Sequence, residues 1–347
     1  MPTVDTVRRA SLGHGMPVVS CRGRTQQGAE AVAVSVVVVN WNSGVLLERC
    51  LRSLSRQTLA PAVVLVVDNA STDRSADCVA EFPGAMLLRA DRNMGFAAAN
   101  NLALRRCETE FVALLNPDAF PEVDWLQRLV AAAEAYPDCA AFGSRQLSAD
   151  DPQIIDGIGD AYHFSGRVWR LRHGRRQGHG DLLPTEIFSA CAAAALYRRS
   201  ALEQVGGFDE DYFCYVEDVD LGFRLRLAGR SARYVPDAVV LHLGSAITGG
   251  RHSDFSVYHG HRNLVWTFVK NMPGPLLWVL LPAHLLFNAI ALLHFSVQGQ
   301  ARVIWRAKLD SLAQLRVVWR KRQVVQRNRV ASVGHIWSIL DKRGFPR

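Results

Sequence analysis

Residues Val34–Asn42 read VSVVVVNWN: a run of aliphatic, mostly β-branched residues with no polar alternation, broken abruptly by Asn40, Trp41 and Asn42. A run of this kind suits a strand buried on both faces, as in a parallel sheet covered by helices on each side. Two later segments share the pattern. In AVVLVVDNASTD (62–73) the apolar run ends at Asp68-Asn69, and in FVALLNPDAF (111–120) it ends at Asn116-Pro117-Asp118. Between and after these runs, GVLLERCLRSLSRQ, a segment near RSADCVAEF, GFAAANNLALRRC and DWLQRLVAAAEAY carry helical patterning. The βαβαβ alternation predicts an α/β fold with a doubly wound, mostly parallel sheet flanked by helices. Such sheets bind ligands beyond the carboxyl ends of their strands, and all three polar exits fall on that edge.

The chain has 347 residues, 49% of them hydrophobic, enough for a sizeable core. Its seven cysteines are scattered without a CxxC pair or a Cys/His cluster, which indicates neither a zinc site nor a disulfide framework and suits a reducing compartment. No GxGxxG follows a predicted strand and no P-loop is present, so any phosphates are not held in a glycine cradle. Residues 1–31 lack sustained periodicity and a signal-like apolar region, and are expected to be a mobile extension. The net charge of +8 is uneven: Ala301–Arg347 holds twelve Lys or Arg against two acids, and the remainder is slightly acidic.

The strand exits supply candidate ligand contacts. Asp68 either shapes its strand-to-helix turn or accepts a hydrogen bond from a nucleobase imide, with Trp41 offering a stacking face or serving as a core aromatic. Asp118, stiffened by Pro117, suits a hard divalent cation, which takes oxygen ligands alongside phosphate. His242, in the apolar run VVLHLGSAI, is either a core histidine or a neutral imidazole that completes that cation site.

The second half brings GGFDEDYFCYVEDVDLGFR (206–224). Ser200 and Glu203 match a capping box for a short helix stopped by Gly206-Gly207. Glu217, Asp218 and Asp220 then open a helix whose last turn holds arginines, a distribution that complements the macrodipole. A carboxylate at a helix N-terminus also stays ionised, as a general base must. Gly206, Gly207 and Phe208, with an Ala-rich segment before them and aromatics around them, suit the close approach of a sugar ring.

Taken in order, VSVVVVNWN, VVDNASTD, NMGFAAANN, LLNPDA, GGFDEDYFCYVEDVDLGFR and LHLGS resemble the family 2 inverting glycosyltransferases of GT-A fold, and most of all their bacterial rhamnosyltransferase-like branch, over Val34 to Lys270. The resemblance implies a GT-A catalytic domain at 32–270 followed by a helical appendage at 271–347. It implies a nucleotide-diphosphate-sugar donor, dTDP- or UDP-linked with rhamnose the first choice, contacted by Asn40, Trp41, Asn42, Asp68, Asn69, Asn93, Gly95, Asn116 and Asp118. Mg²⁺ or Mn²⁺ would be held by Asp118 and His242, an acceptor or sugar pocket would involve Gly206, Gly207 and Phe208, and Asp218, with Glu217 beside it, would be the base. Where many members carry Asp-x-Asp, this chain has Asn116-Pro117-Asp118, which leaves the cation one carboxylate fewer. A non-catalytic nucleotide-sugar or carbohydrate-binding module is the alternative.

Beyond the catalytic segment, PLLWVLLPAHLLFNAIALLHFSV (275–297) is long enough to span a bilayer, yet His284, Asn288 and His294, with Gln298, fall on one helical stripe. The following stretch, 301–329, aligns Trp305, Leu309, Leu312, Leu315 and Trp319 among many bases, as in helices that lie on anionic lipid. The expectation is a cytoplasmic enzyme held peripherally on the inner face of the cell membrane, acting on a glycan or a polyprenyl-linked acceptor. Nucleic acid is not expected as a partner, since no recognised module accompanies the charge, and homo-oligomerisation is left open.

Overall fold

The computed structural model describes residues 32–244 and 253–343; the expected N-terminal extension, and Ser245 of the LHLGS motif, lie outside them. The strands are β1 (Val34–Asn40), β2 (Val63–Asp68), β3 (Ala85–Arg89), β4 (Phe111–Leu115), β5 (Ala119–Pro121), β6 (Cys139–Ser148), β7 (Ile154–Gly157), β8 (Asp160–Tyr162), β9 (Val168–Arg170), β10 (Arg175–Arg176), β11 (Glu186–Ile187), β12 (Ala194–Arg198) and β13 (Ser231–His242). The α-helices are α1 (Leu46–Leu54), α2 (Gly95–Leu104), α3 (Trp125–Ala135), α4 (Arg199–Val205), α5 (Glu217–Leu227), α6 (Asp254–Asn271), α7 (Gly274–Phe295), α8 (Ala301–Ala313), α9 (Leu315–Arg327) and α10 (Val333–Ile339).

The main sheet runs β10-β7-β6-β12-β4-β1-β2-β3, with β13 beside β6 and bridging to β5 and β11. Strands β3, β2, β1 and β4 are mutually parallel, and β12 enters antiparallel between β4 and β6. Strand β1 has β2 on one side and β4 on the other, so the chain reverses its winding between β1 and β4. Their carboxyl ends, Asn40 and Asn116, therefore flank the crevice where an open α/β sheet takes its ligand.

The unbroken apolar runs follow from burial on both faces. Val34, Val36 and Val38 pack with Leu47, Leu51 and Leu129 in one core, while Val37 and Val39 pack with Ala97, Leu114 and Leu221 in the other. Each fully buried valine contributes about 1.5 kcal/mol or more from area removed from water. The segment near RSADCVAEF forms a 3₁₀ helix, Ser75–Glu81, rather than an α-helix; Arg74 before it is left-handed and Pro83-Gly84 stops it. The predicted capping box at Ser200 is not made either. Helix α4 begins at Arg199, and Glu203 forms an ion pair with Arg199 one turn back.

The C-terminal helices pack onto this layer through α6. Asp220 of α5 is fully buried and accepts from Tyr212, Asn271 and Arg224, and Lys270 of α6 forms an ion pair with it at 2.8 Å. Helices α8 and α9 lie along α6: the Trp266 indole donates to the Ser311 carbonyl, and Arg322 donates to the Val269 carbonyl. Helix α7 turns Leu277, Leu280, His284 and Ala291 inward, with His284 stacked on Phe268 at 3.9 Å and hydrogen-bonded to the Ser165 carbonyl. The opposite side of α7 stays exposed, and the chain reverses into α8 at Gly299, whose φ is +86°.

Candidate active site

A cavity of about 1640 Å³ opens at the carboxyl ends of β1 and β4. One wall is made by Trp41, Asn69, Asn93, Gly95, Asn116 and Asp118, and another by the arm 167–175. Glu217, Asp218 and His242 also line it. Residues from three distant parts of the chain thus meet in one crevice.

On the first wall, the strand exits are tied together before they meet any ligand. Asn40 donates to Asp68 (3.1 Å), Ser71 (3.1 Å) and Ser75 (2.9 Å), and the left-handed Asn42 accepts from the Thr72 N–H. The other Asp68 oxygen accepts from the largely exposed Arg89 at 3.2 Å. Asn40, Asn42 and Asp68 therefore form a strut behind the cavity surface, whereas Trp41, Asn69, Asn93 and Gly95 reach it. Asn69 donates to Asn93 (2.9 Å) and accepts from the Met94 N–H (2.9 Å). Gly95 is required: at φ +84° a Cβ would sit 2.5 Å from the Phe213 carbonyl oxygen.

Asp118 and His242 come together because β5 pairs with the end of β13, setting Ala119 opposite His242. His242 Nε2 lies 3.3 Å from Asp118 Oδ1, outside hydrogen-bond geometry, and both side chains are buried. Its Nδ1 is 2.8 Å from Asp156 on β7, a residue absent from the sequence-based candidates because its partner lies 86 residues away. Arg170 (2.5 Å) shares the same Asp156 oxygen, and His173 (3.4 Å) approaches the other. Burial alone would raise the Asp156 carboxyl, but hydrogen bonds from His173 and His242 and the Arg170 guanidinium outweigh it and hold the group well below the usual carboxylate range. Burial disfavours the His242 cation, yet the Asp118 and Asp156 carboxylates overcome it and raise its pKa. A histidine pinned at one nitrogen by a carboxylate, with its other nitrogen unpartnered and facing a second carboxylate, fits a divalent cation between His242 and Asp118.

Glu217 and Asp218 open α5. Asp218 Oδ2 accepts from the Ala192 N–H (3.1 Å) and Oδ1 from the Val219 N–H (2.8 Å), leaving a half-buried carboxylate in the cavity wall. Glu217 is buried, and its Oε2 has no hydrogen-bond partner among the described residues. Burial first, and the adjacent Asp218 second, push its pKa well above the ordinary value, which favours a neutral carboxylic acid. The turn before them is strained: Phe213, Tyr215 and Val216 all have φ between 64° and 69°, a region costly for a β-branched residue. Asn263 of α6, fully buried, holds this turn by donating to the carbonyls of Tyr212 (3.0 Å), Cys214 (3.0 Å) and Tyr215 (2.7 Å).

Asp160, Cys191 and Asp218 form a second cluster, with candidate ligand atoms within 4.8 Å of one another. Burial pushes the Cys191 thiol up to about 12, and a protonated thiol suits a hard cation poorly. The expected pocket at Gly206, Gly207 and Phe208 is not at the cavity. Gly206 (φ +77°) and Gly207 (φ +67°) end α4, and the Asn101 side chain bonds both the N–H and the carbonyl of the buried Phe208. These residues brace α2 against the turn that leads to α5, which is why small residues stand there.

Comparisons with known proteins agree with this architecture. The family described as "Glycosyl transferase family 2" matches residues 35–206. The N-acetylglucosaminyl-diphospho-decaprenol L-rhamnosyltransferase of Mycobacterium tuberculosis is 32% identical over 287 residues, covering 71% of this chain and 88% of the relative. Among solved structures, the mannosyltransferase PcManGT from Pyrobaculum calidifontis, in complex with GDP-Man and Mn²⁺, superimposes with a TM-score of 0.52 at 21% identity, covering 88% of this chain and 87% of that one. S. aureus TarS 1-349 gives 0.55 at 17% identity, covering 88% and 90%. The fold is GT-A-like, and the chain belongs to glycosyl transferase family 2 and is a glycosyltransferase.

Proposed function

We propose that the protein transfers a sugar, rhamnose in the first instance, from a nucleotide-diphosphate donor to a hydroxyl of a lipid-linked saccharide, with inversion at the anomeric carbon. The observation that carries this reading is the meeting of Asp118, His242 and Asp218 in one cavity that is also lined by strand-exit residues suited to a nucleotide. The saccharide class follows the rhamnosyltransferase relative, named for an N-acetylglucosaminyl-diphospho-lipid.

The donor lies against Trp41, Asn69, Asn93 and Asn116. The Asp68 carboxylate reaches a base only once Arg89 moves aside, and Arg89 is exposed enough to do so. Asp118 and His242 would hold a divalent cation, and Asp156, bonded to Nδ1, fixes the His242 tautomer that leaves Nε2 able to ligate it. When bound, Mg²⁺ or Mn²⁺ supplies Lewis-acid stabilisation of the leaving diphosphate. The N–H groups of Ala192 and Val219 orient the Asp218 carboxylate. That carboxylate takes the acceptor hydroxyl proton as the oxygen bonds to the anomeric carbon and the bond to the diphosphate breaks. Glu217, buried and neutral, donates a hydrogen bond to a sugar hydroxyl.

The outer faces of the C-terminal helices support attachment to the inner face of the cell membrane. Trp278, Leu285, Leu286 and Leu293 of α7 and Trp305, Leu309 and Leu312 of α8 are exposed. From α7 to α9 there are eight Lys or Arg and one acid, a composition that favours anionic lipid. Incubation with dTDP-rhamnose, Mn²⁺ and a GlcNAc-diphospho-lipid, followed by assay of released dTDP and of the glycosylated lipid, tests the reaction. Absence of release with every dTDP-, UDP- and GDP-sugar would count against it.

A further inference from the structure

We infer that Asp160, Cys191 and Asp218 form a site for a thiophilic divalent cation, Zn²⁺ foremost, and that a cation bound there blocks transfer by engaging the carboxylate that serves as the base. The blocking rests on the reading of Asp218 given above; the site itself does not.

The three groups come from separate elements. Asp160 lies on β8, Cys191 stands just before β12, and Asp218 is in the first turn of α5. Their candidate ligand atoms all lie within 4.8 Å of one another, and all three residues line the large cavity. The Asp160 N–H donates to the Ser189 carbonyl at 3.0 Å, and the Ala192 N–H donates to Asp218 Oδ2 at 3.1 Å. The short segment that carries Cys191 is thereby fastened to both acids. Zinc bonds of about 2.3 Å to sulfur and about 2.0–2.2 Å to oxygen put tetrahedral ligand atoms roughly 3.5 Å apart, so the groups need to close by little more than about an ångström. Asp160 also interacts elsewhere in the fold, and ligation needs only one of its two oxygens.

A fourth group points to a cation independently. Glu217 is buried and lines the same cavity, and its Oε2 has no hydrogen-bond partner among the described residues. Burial first, then the charge of Asp218, with Asp220 and Asp160 adding to it, disfavours its ionised form. Acids crowded in this way lose their mutual repulsion when a dication binds among them. The nature of the cation follows from the sulfur. Burial pushes the Cys191 thiol up, and the Arg170 guanidinium, 3.0 Å from Sγ, works against it. The thiol proton therefore leaves only for a metal that bonds strongly to thiolate. Mg²⁺ and Mn²⁺ prefer oxygen, whereas Zn²⁺ takes thiolate and carboxylate together. One cavity thus separates two cations by softness, Mg²⁺ or Mn²⁺ at Asp118 and His242 and a thiophilic ion at Cys191. As the S–Zn bond forms, the thiol proton passes to solvent, and the Asp218 lone pair that would take the acceptor proton is engaged by the metal. Three protein ligands leave a fourth position open to the cavity for water.

The test uses the full-length protein with Mg²⁺ in excess. Titration with Co²⁺, a spectroscopically visible substitute for Zn²⁺, should give thiolate-to-cobalt charge-transfer absorption in the near ultraviolet, and Cys191→Ala should remove it. In the transfer assay at saturating Mn²⁺, added Zn²⁺ should inhibit, and raising Mn²⁺ further should leave the inhibition in place. Relative to each protein's own uninhibited rate, Cys191→Ala should raise the half-inhibitory Zn²⁺ concentration at least about tenfold. Asp160→Asn, measured alongside in case the first variant folds poorly, should raise it in the same direction. No charge-transfer band, a band that survives Cys191→Ala, inhibition relieved by Mn²⁺, or an unchanged half-inhibitory concentration in both variants would overturn the inference. If no donor and acceptor give transfer, the functional reading fails instead, and the cobalt spectrum still decides the site.

Discussion

At the scale of single residues, two neighbouring acids at the start of α5 make opposite predictions. Asp218→Asn keeps the shape and the contact with solvent but cannot take a proton, so kcat should fall by about a thousandfold or more while donor binding, read by isothermal titration, changes little. Glu217→Gln substitutes a neutral donor for an acid that burial already keeps protonated, so it should retain most of its turnover, whereas Glu217→Ala should not. Because the Glu217 pKa is raised, the neutral side chain is fully favourable below the ordinary carboxyl range, and stability is lost as pH rises through the shifted value. Glu217→Gln should therefore flatten the alkaline side of the melting-temperature profile. Asp156→Ala removes the carboxylate behind His242 and should weaken activation by Mn²⁺ by about 10- to 100-fold, measured as the cation concentration for half-maximal rate. Asp118 and Asp218 were candidates in the sequence because a strand exit and a helix start are marked by abrupt changes in polarity, and His242 because it stands alone in an apolar run. Asp156 and Asn263 could not, since their importance comes from a partner 86 residues away for one and from carbonyl groups of a distant turn for the other. Gly206 and Gly207 misled for a related reason: a Gly-Gly pair that ends a helix looks the same in sequence as one that admits a substrate.

Among the elements, the turn before α5 stores strain that α6 holds in place. Asn263→Ala leaves the Cys214 and Tyr215 carbonyls without their donor, while that of Tyr212 keeps Arg262, and frees Phe213, Tyr215 and Val216 to leave the left-handed region. Turnover should drop at least about tenfold with a smaller change in donor KM, and adding Val216→Gly, which removes the backbone penalty, should recover part of it. The packing of α7 on α6 has its own pH dependence. Burial lowers the His284 pKa to about 4, so its neutral form stabilises this contact fully above the ordinary value near 6.5, and the contribution is lost as pH falls from there toward 4. Tryptophan fluorescence should therefore report loosening of the C-terminal helices across that acidic interval, and His284→Phe, stacked on Phe268, should abolish it. The three parallel strands were legible because burial on both faces leaves unbroken aliphatic runs. The antiparallel strands β6 and β12 were not, because small and polar residues pack where neighbouring strands and helices come close.

For the whole molecule, the distribution of exposed apolar residues matters more than any one contact. Trp305→Glu with Leu309→Glu should release the protein from vesicles containing anionic lipid in a flotation assay and leave transfer to a soluble acceptor unchanged, since neither side chain approaches the cavity. The basic, Trp-bearing amphipathic character of this region was readable from sequence. What sequence could not supply was the ion pair between Asp220 and Lys270, which fastens the helix carrying the proposed base to the helix that supports the outer layer. Together with the Asn271 hydrogen bond to the same carboxylate, it ties α5 to α6 as one unit. On the membrane attachment proposed above, that unit would set the height over the bilayer at which an acceptor hydroxyl meets Asp218.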